Sequence, residues 1–193
     1  MGYISGEARG QATRFPATLD EYISADNSVR FIDAFVSSLN LGELKFVRAQ
    51  PAATGRPGYQ PGDLLRLYIY GYLNRVRSSR RLEVEAQRNV EVMWLLSKLT
   101  PDFKTIADFR AHNPKPLTAV CKQFVVLCRH WDLFGGELVA LDGSKFRASN
   151  SRNRIFTADQ LRKRLEQLEK QIRAYLTELD ENDRCEESAP SRA

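Results

Sequence analysis

The sequence predicts a mainly α chain that is interrupted once by a short β-hairpin and closes on a long amphipathic helix. Three observations carry this. Apolar residues recur every three or four positions through most of residues 19–134. At Gly135-Gly136 that period stops, and Glu137-Leu138-Val139-Ala140-Leu141 is a short apolar run bounded by glycines and an Asp-Gly turn. From Thr157 an apolar heptad begins and holds for about three repeats.

The elements follow in order. The first 18 residues are polar and glycine-bearing and read as an arm. Asn27 or Ser28 caps a helix with Val29, Ile32, Phe35, Val36 and Leu39 on one face, and Gly42 is its stop. Pro51, Gly55, Pro57, Gly58, Pro61 and Gly62 mark residues 49–62 as a loop. Leu64, Leu65, Leu67, Tyr68, Ile69, Tyr70, Tyr72, Leu73 and Val76 are apolar almost all round, which predicts a helix at the centre of a bundle. Ser78 or Ser79 caps a third helix to about Asn89, with Leu82 and Ala86 inward and Arg80, Arg81 and Arg88 outward. A short apolar segment, 92–99, leads to Thr100-Pro101-Asp102. Thr105 and Asp108 have the spacing of a capping box for a helix through His112, with Pro114 and Pro116 ending it. A further helix from Leu117 to about Trp131 buries Val120, Phe124, Leu127 and Trp131.

The change of pattern at Gly135 predicts a boundary. The expected organisation is a helical unit over 1–134, the strands of a second unit over 135–156, an amphipathic coiled-coil-like helix over 157–181 and a disordered tail over 182–193. In the long helix Leu161, Leu165, Leu168, Ile172, Tyr175 and Leu179 form the seam. Three heptads are near the lower limit for a coiled coil, so an intramolecular packing face is preferred to a zipper. Glu166–Lys170 and Glu169–Arg173 are i,i+4 pairs in the favourable order.

Composition bounds what such a chain can do. With 193 residues, 42% hydrophobic and 10% aromatic, it can build a core, which excludes wholesale disorder. No apolar run approaches the ~20 residues of a membrane span. The opening residues have no apolar signal-like core, and Gly6 breaks the myristoylation pattern, so a soluble cytoplasmic protein is expected. The net charge of +5 leans mildly towards polyanions. Its placement says more. Lys145, Arg147, Arg152, Arg154, Arg162, Lys163 and Arg164 stand with Asp159 as the one acid among them, whereas Glu178, Asp180, Glu181, Asp183, Glu186 and Glu187 crowd the stretch after Ala174. Solvated surface is the plain reading of both runs. Cys121 and Cys128, seven apart on one helix, are about 10 Å apart and too far to bridge, so they read as buried free thiols. Cys128 and His130 lack a second pair at zinc spacing.

Two places can carry function. Asp142 ends the apolar run and precedes Gly143-Ser144. A carboxylate at the end of a buried strand suits a metal ligand, while Asp-Gly alone is also the commonest hairpin signal. Arg75, Arg77, Arg80, Arg81 and Arg88 flank the Ser78-Ser79 turn between two helices. A cationic second helix after a short turn is a layout that enters the major groove while its neighbour meets phosphates, and a solvated face tempered by Glu83 and Glu85 is the alternative. Arg110 could instead pair internally with Asp102 or Asp108. Tyr68, Tyr70, Tyr72, Trp94 and Trp131 read as packing residues rather than stacking platforms.

A wider set of motifs bears on both. Gly55-Arg56-Pro57-Gly58-Tyr59-Gln60-Pro61, Leu64-Leu65-Arg66-Leu67, Tyr70-Gly71-Tyr72-Leu73 and Arg77-Ser78-Ser79-Arg80-Arg81-Leu82-Glu83 stand in that order. Trp94-Leu95, the run from Leu99-Thr100-Pro101-Asp102 through Asp108-Phe109-Arg110, and Ala140-Leu141-Asp142-Gly143-Ser144-Lys145-Phe146-Arg147-Ala148 with Asn150, Ser151 and Arg152 follow. The set resembles the N-terminal region of bacterial insertion-sequence transposases of the DDE type, over about residues 15–180. The resemblance implies a helical DNA-binding region followed by the first hairpin of an RNase H-like α/β domain. It implies that Asp142 is the first catalytic carboxylate and a Mg²⁺ ligand, with Lys145, Arg147 and Arg152 beside it contacting DNA. In such enzymes three carboxylates hold two divalent ions ~3.5–4 Å apart.

Here the sequence departs from the family, because no further strand pattern follows Ala148 and nothing aims Asp159, Glu166, Glu169 or Glu178 at Asp142. The expectation is an N-terminal fragment that keeps terminal-repeat binding and one catalytic carboxylate, and is inactive by itself. Its expected partners are double-stranded DNA at transposon terminal repeats, itself or a full-length transposase, with no membrane, in the bacterial cytoplasm at the nucleoid. An inhibitor of the full-length enzyme and a helical assembly module are the rival readings.

Overall fold

The structure, a computed structural model, describes residues 18–49, 58–130 and 158–188. Among these residues all regular structure is helical. After a short 3-10 turn at Leu19–Tyr22 come α1 (Ser28–Ser37), α2 (Pro61–Leu73), α3 (Ser79–Arg88), α4 (Val90–Leu95), α5 (Phe103–His112), α6 (Pro114–His130) and α7 (Ala158–Ser188). The expected hairpin, and with it Asp142, Lys145, Arg147 and Arg152, lies outside the described residues, as do the N-terminal arm and Trp131.

Local chemistry sets most helix starts. The Asn27 side chain accepts from the Val29 N–H, and Asn89 accepts from Glu91 and Val92 to open α4. Pro61 opens α2 from the first helical position, where its missing N–H costs nothing. Ser78, in extended backbone, accepts from the Arg81 N–H and opens α3. Three expectations are corrected. The cap of α5 is Asp102, which takes the Thr105 N–H at 2.7 Å and the Thr105 hydroxyl at 3.1 Å, so Thr105 is a donor and not the cap. Pro114 does not simply end α5: it begins α6, whose first backbone bond runs from the Leu117 N–H to the Asn113 carbonyl. The first helix also stops earlier than Gly42, at Ser37.

Helix α2 sits at the centre, as its all-round apolar surface requires. Leu65, Leu67, Tyr68 and Ile69 are all but inaccessible. One hydrophobic core joins it to α1, α3, α4, α5 and α6, and the same core takes in Leu168, Ile172, Tyr175, Leu176 and Leu179 of α7. The heptad seam is therefore an internal packing face, in accord with the preferred reading, although Leu165 stays exposed. Helix α7 is not a separate unit beyond residue 157, and it continues to Ser188, through the first half of the stretch expected as a disordered tail. Glu169 pairs with Arg173 as its spacing predicted, and also with Lys122 of α6 at 2.9 Å.

The tyrosines pack. Tyr68 donates to the Ile106 carbonyl at 2.7 Å, Tyr70 accepts from Asn89, and Tyr72 meets Tyr175 edge-on with ring centres 5.2 Å apart. Trp94 is half-buried, donating to Asp20 while Arg30 lies over its ring. Cys121 and Cys128 are buried free thiols that burial pushes up to about 12. No helix among the described residues is long and apolar enough to cross a membrane.

Candidate nucleic-acid interface

The five arginines of interest surround the connection from α2 to α3. Helix α2 ends in a reversal in which the Val76 N–H reaches the Gly71 carbonyl at 2.9 Å and Arg75 takes a left-handed conformation, φ 55°. The chain then runs extended through Ser78 into α3. Leu82 and Ala86 lock α3 into the core with no exposed surface. Its outer face therefore carries Arg81, Val84, Gln87 and Arg88, all exposed and three or four residues apart along one side.

The arginines do not share one fate. Arg81 is exposed and has no ion pair among the described residues. Arg88 is bound by Glu85 of its own helix at 2.6 Å, a contact that remains at the surface. Burial would raise the Glu85 pKa, but hydrogen bonds from Arg88 and Asn89 outweigh it and hold the carboxylate below its usual value. Arg77 and Arg80, by contrast, meet carboxylates of α7. Arg77 pairs with Glu178 at 2.7 Å, and Arg80 lies 3.5 Å from Glu186 with its guanidinium stacked over Phe103.

Beneath this surface lies a group that local reading misassigned. Arg110 pairs with neither Asp102 nor Asp108. Its side chain is 5% exposed and reaches Asp180 at 2.7 Å and Asp183 at 2.8 Å. It also donates to the Tyr68 hydroxyl at 3.1 Å and the Ser79 hydroxyl at 3.2 Å. Burial would lower its pKa, but the neighbouring Tyr68, Asp183 and Asp180 outweigh that and keep the guanidinium firmly charged. Asp183 in turn accepts the Ser79 backbone N–H at 2.7 Å and its hydroxyl at 2.6 Å, which puts a carboxylate on the N-terminus of α3. Tyr175 donates to the Val76 carbonyl and Asn182 to the Arg77 carbonyl. Helix α7 thus clasps the α2–α3 connection from Val76 to Ser79.

The heptad gives little sign of this clasp. Its four-three spacing continues from Leu179 to Asn182, and Asp183 lies one residue past the seam, so nothing local separates it from the solvated acids around it.

A concavity of about 540 Å³ lies between Val47, Tyr59, Gln60 and the Asp108, Phe109 and His112 side of α5. Among the described residues no group of three or more His, Cys, Asp or Glu side chains could hold a metal ion.

No curated protein and no solved structure matches the chain. Residues 17–112 match the model of a family described as Transposase domain (DUF772). The match spans α1 to α5, the α2–α3 connection included, and supports assigning this helical region to a transposase family.

Proposed function

We propose that the chain binds duplex DNA through the α2–α3 unit as the recognition part of an insertion-sequence transposase. The observation that carries this is the outer face of α3. Arg81, Val84, Gln87 and Arg88 stand clear of the core on a helix whose position is fixed by Leu82, Ala86 and the Ser78 cap. Arginine forks suit guanine edges and phosphates, glutamine suits adenine, and valine suits a thymine methyl. Arg75 and Arg77 in the connection are placed to meet the backbone beside that groove.

Strand cleavage and transfer are read for the family as chemistry of three carboxylates and two divalent ions. Asp142 is our candidate for the first of these, with Lys145, Arg147 and Arg152 as neighbouring DNA contacts. The rival assembly reading has less to stand on, because the heptad face it would use is packed inside the chain at Leu168, Ile172 and Leu179.

The test is fluorescence anisotropy with a duplex carrying the terminal repeats that flank the gene, against a scrambled duplex, titrated across salt. Repeat-specific binding that Arg81→Ala weakens by about ten-fold or more supports base or phosphate contact by α3. Equal, salt-labile binding to both duplexes, indifferent to Arg81→Ala and Arg88→Ala, refutes it.

A further inference from the structure

The acidic end of α7 does two different things to the α2–α3 connection. Tyr175, Asn182 and Asp183 bond its backbone and, through Arg110, tie it to the core. Glu178 and Glu186 instead pair with the arginine side chains there. The Arg77–Glu178 pair is open to water, with 50% and 38% of the two side chains exposed. The Arg80–Glu186 pair is long, and the Glu186 Oε2 that faces Arg80 is buried with no hydrogen-bond partner.

Those two states have a common consequence. An exposed ion pair is weak and exchanges readily for a stronger anion. A desolvated carboxylate oxygen that accepts no hydrogen bond is poorly compensated, so little holds it in place. Neither glutamate is needed to keep α7 seated, because the Arg110–Asp183 bond and the Leu168-to-Leu179 face do that below them. Both can therefore leave by side-chain rotation while the helix stays docked.

We infer that Glu178 and Glu186 make the acidic end of α7 an internal competitor for DNA. They screen Arg77 and Arg80 in the free protein and yield them to phosphates when a duplex arrives. The inference rests on the DNA-binding reading of α2–α3. It assigns the acidic stretch after Ala174 two roles: Asp183, with Asp180, pairs with Arg110 and braces the fold, while Glu178 and Glu186 pair with arginines of the connection and α3 and tune affinity. Because the Glu178 and Glu186 pairs are weak, the effect is an attenuation and not a lock.

The test compares the Glu178→Gln/Glu186→Gln double variant with Glu43→Gln/Glu166→Gln, which removes the same two charges at exposed sites away from the connection. The probe is the same terminal-repeat duplex, titrated across salt. The expected result is binding about three- to ten-fold tighter than the charge-matched control, scaled from two weak surface pairs. The salt slope should stay close to that of the control, since the same two arginines meet phosphates in both proteins and each such contact contributes ~0.9. Adding Arg77→Ala and Arg80→Ala to the double variant should abolish the gain. If the double variant binds no tighter than its control while Arg81→Ala still weakens binding, the competitor is refuted and the DNA reading stands. If neither Arg81→Ala nor Arg88→Ala weakens binding, the DNA reading falls and takes the competitor with it.

Discussion

Replacing Arg110 by Met should destabilise the whole molecule, because it removes the cation that joins α5, α2, α3 and α7. Met fills much of the same volume with an apolar chain, so the loss is mainly electrostatic. Breaking a buried ion pair by deleting one partner costs about 3–5 kcal/mol when the other is left without compensation. Two features of the structure reduce that here. The Asp180 side chain is 47% exposed, and its share is at most about 1 kcal/mol. Asp183 is 14% exposed but keeps the Ser79 N–H and hydroxyl as donors, which places the total at about 2–4 kcal/mol. For a chain of this size that is a fall of roughly 5–15 °C in Tm. Urea and thermal unfolding followed by circular dichroism measure it directly. Asp183→Asn alone and combined with Arg110→Met closes a double-mutant cycle, with an expected coupling of about 1–3 kcal/mol. A loss below about 1 kcal/mol for Arg110→Met, or additive single effects, would refute the clasp as the tie between α7 and the rest.

Other outcomes follow from the same packing. Gly71→Ala should lower stability by about 1–3 kcal/mol despite alanine's better helix propensity. Its Cβ would come 2.8 Å from a Leu82 methyl and 3.0 Å from the Tyr175 hydroxyl, and Leu82 is fully buried, so it must shift within the core. An unchanged or raised urea midpoint would contradict that. In the folded protein, a thiol reagent should label Cys185 quickly and leave Cys121 and Cys128 until denaturant is added, because only Cys185 is exposed. Stability should also fall in alkali. Unfolded thiols ionise near ~8.5 and tyrosines near ~10, whereas burial pushes Cys121, Cys128 and Tyr70 up to about 12. The folded state therefore keeps protons that the unfolded state gives up, and stability drops as pH rises from about 8.5 towards 12. A midpoint that holds steady between neutral pH and pH ~10.5 would exclude this.

Much of the helical frame was legible because its signals are local. The caps at Asn27 or Ser28 and at Ser78 or Ser79, which the structure places at Asn27 and Ser78, the inward pair Leu82 and Ala86, and the central place of α2 each depend on residues within a turn or two of one another. Where local signals were ambiguous the reading slipped. Thr105-Asp108 and Asp102-Thr105 both have capping spacing, and the extended backbone at Asp102 decides between them. Pro114 can end one helix or begin the next, and here it opens α6. The arginines were legible as a group but not as individuals, since nothing near Arg77, Arg80 or Arg110 in sequence names a partner.

By itself, then, the order of residues determined the helices, the burial of the heptad face, the inertness of two cysteines and the cationic character of the α2–α3 connection. Each of these follows from periodicity or from side chains a few positions apart. Tertiary structure alone decided what the acidic stretch after Ala174 is for. Glu178, Asp180, Asp183 and Glu186 find Arg77, Arg110, Ser79 and Arg80 across separations of 70 residues or more. Charge attraction has no sequence period, so a carboxylate bound for solvent and one bound for a buried guanidinium look alike until the core brings the helices together.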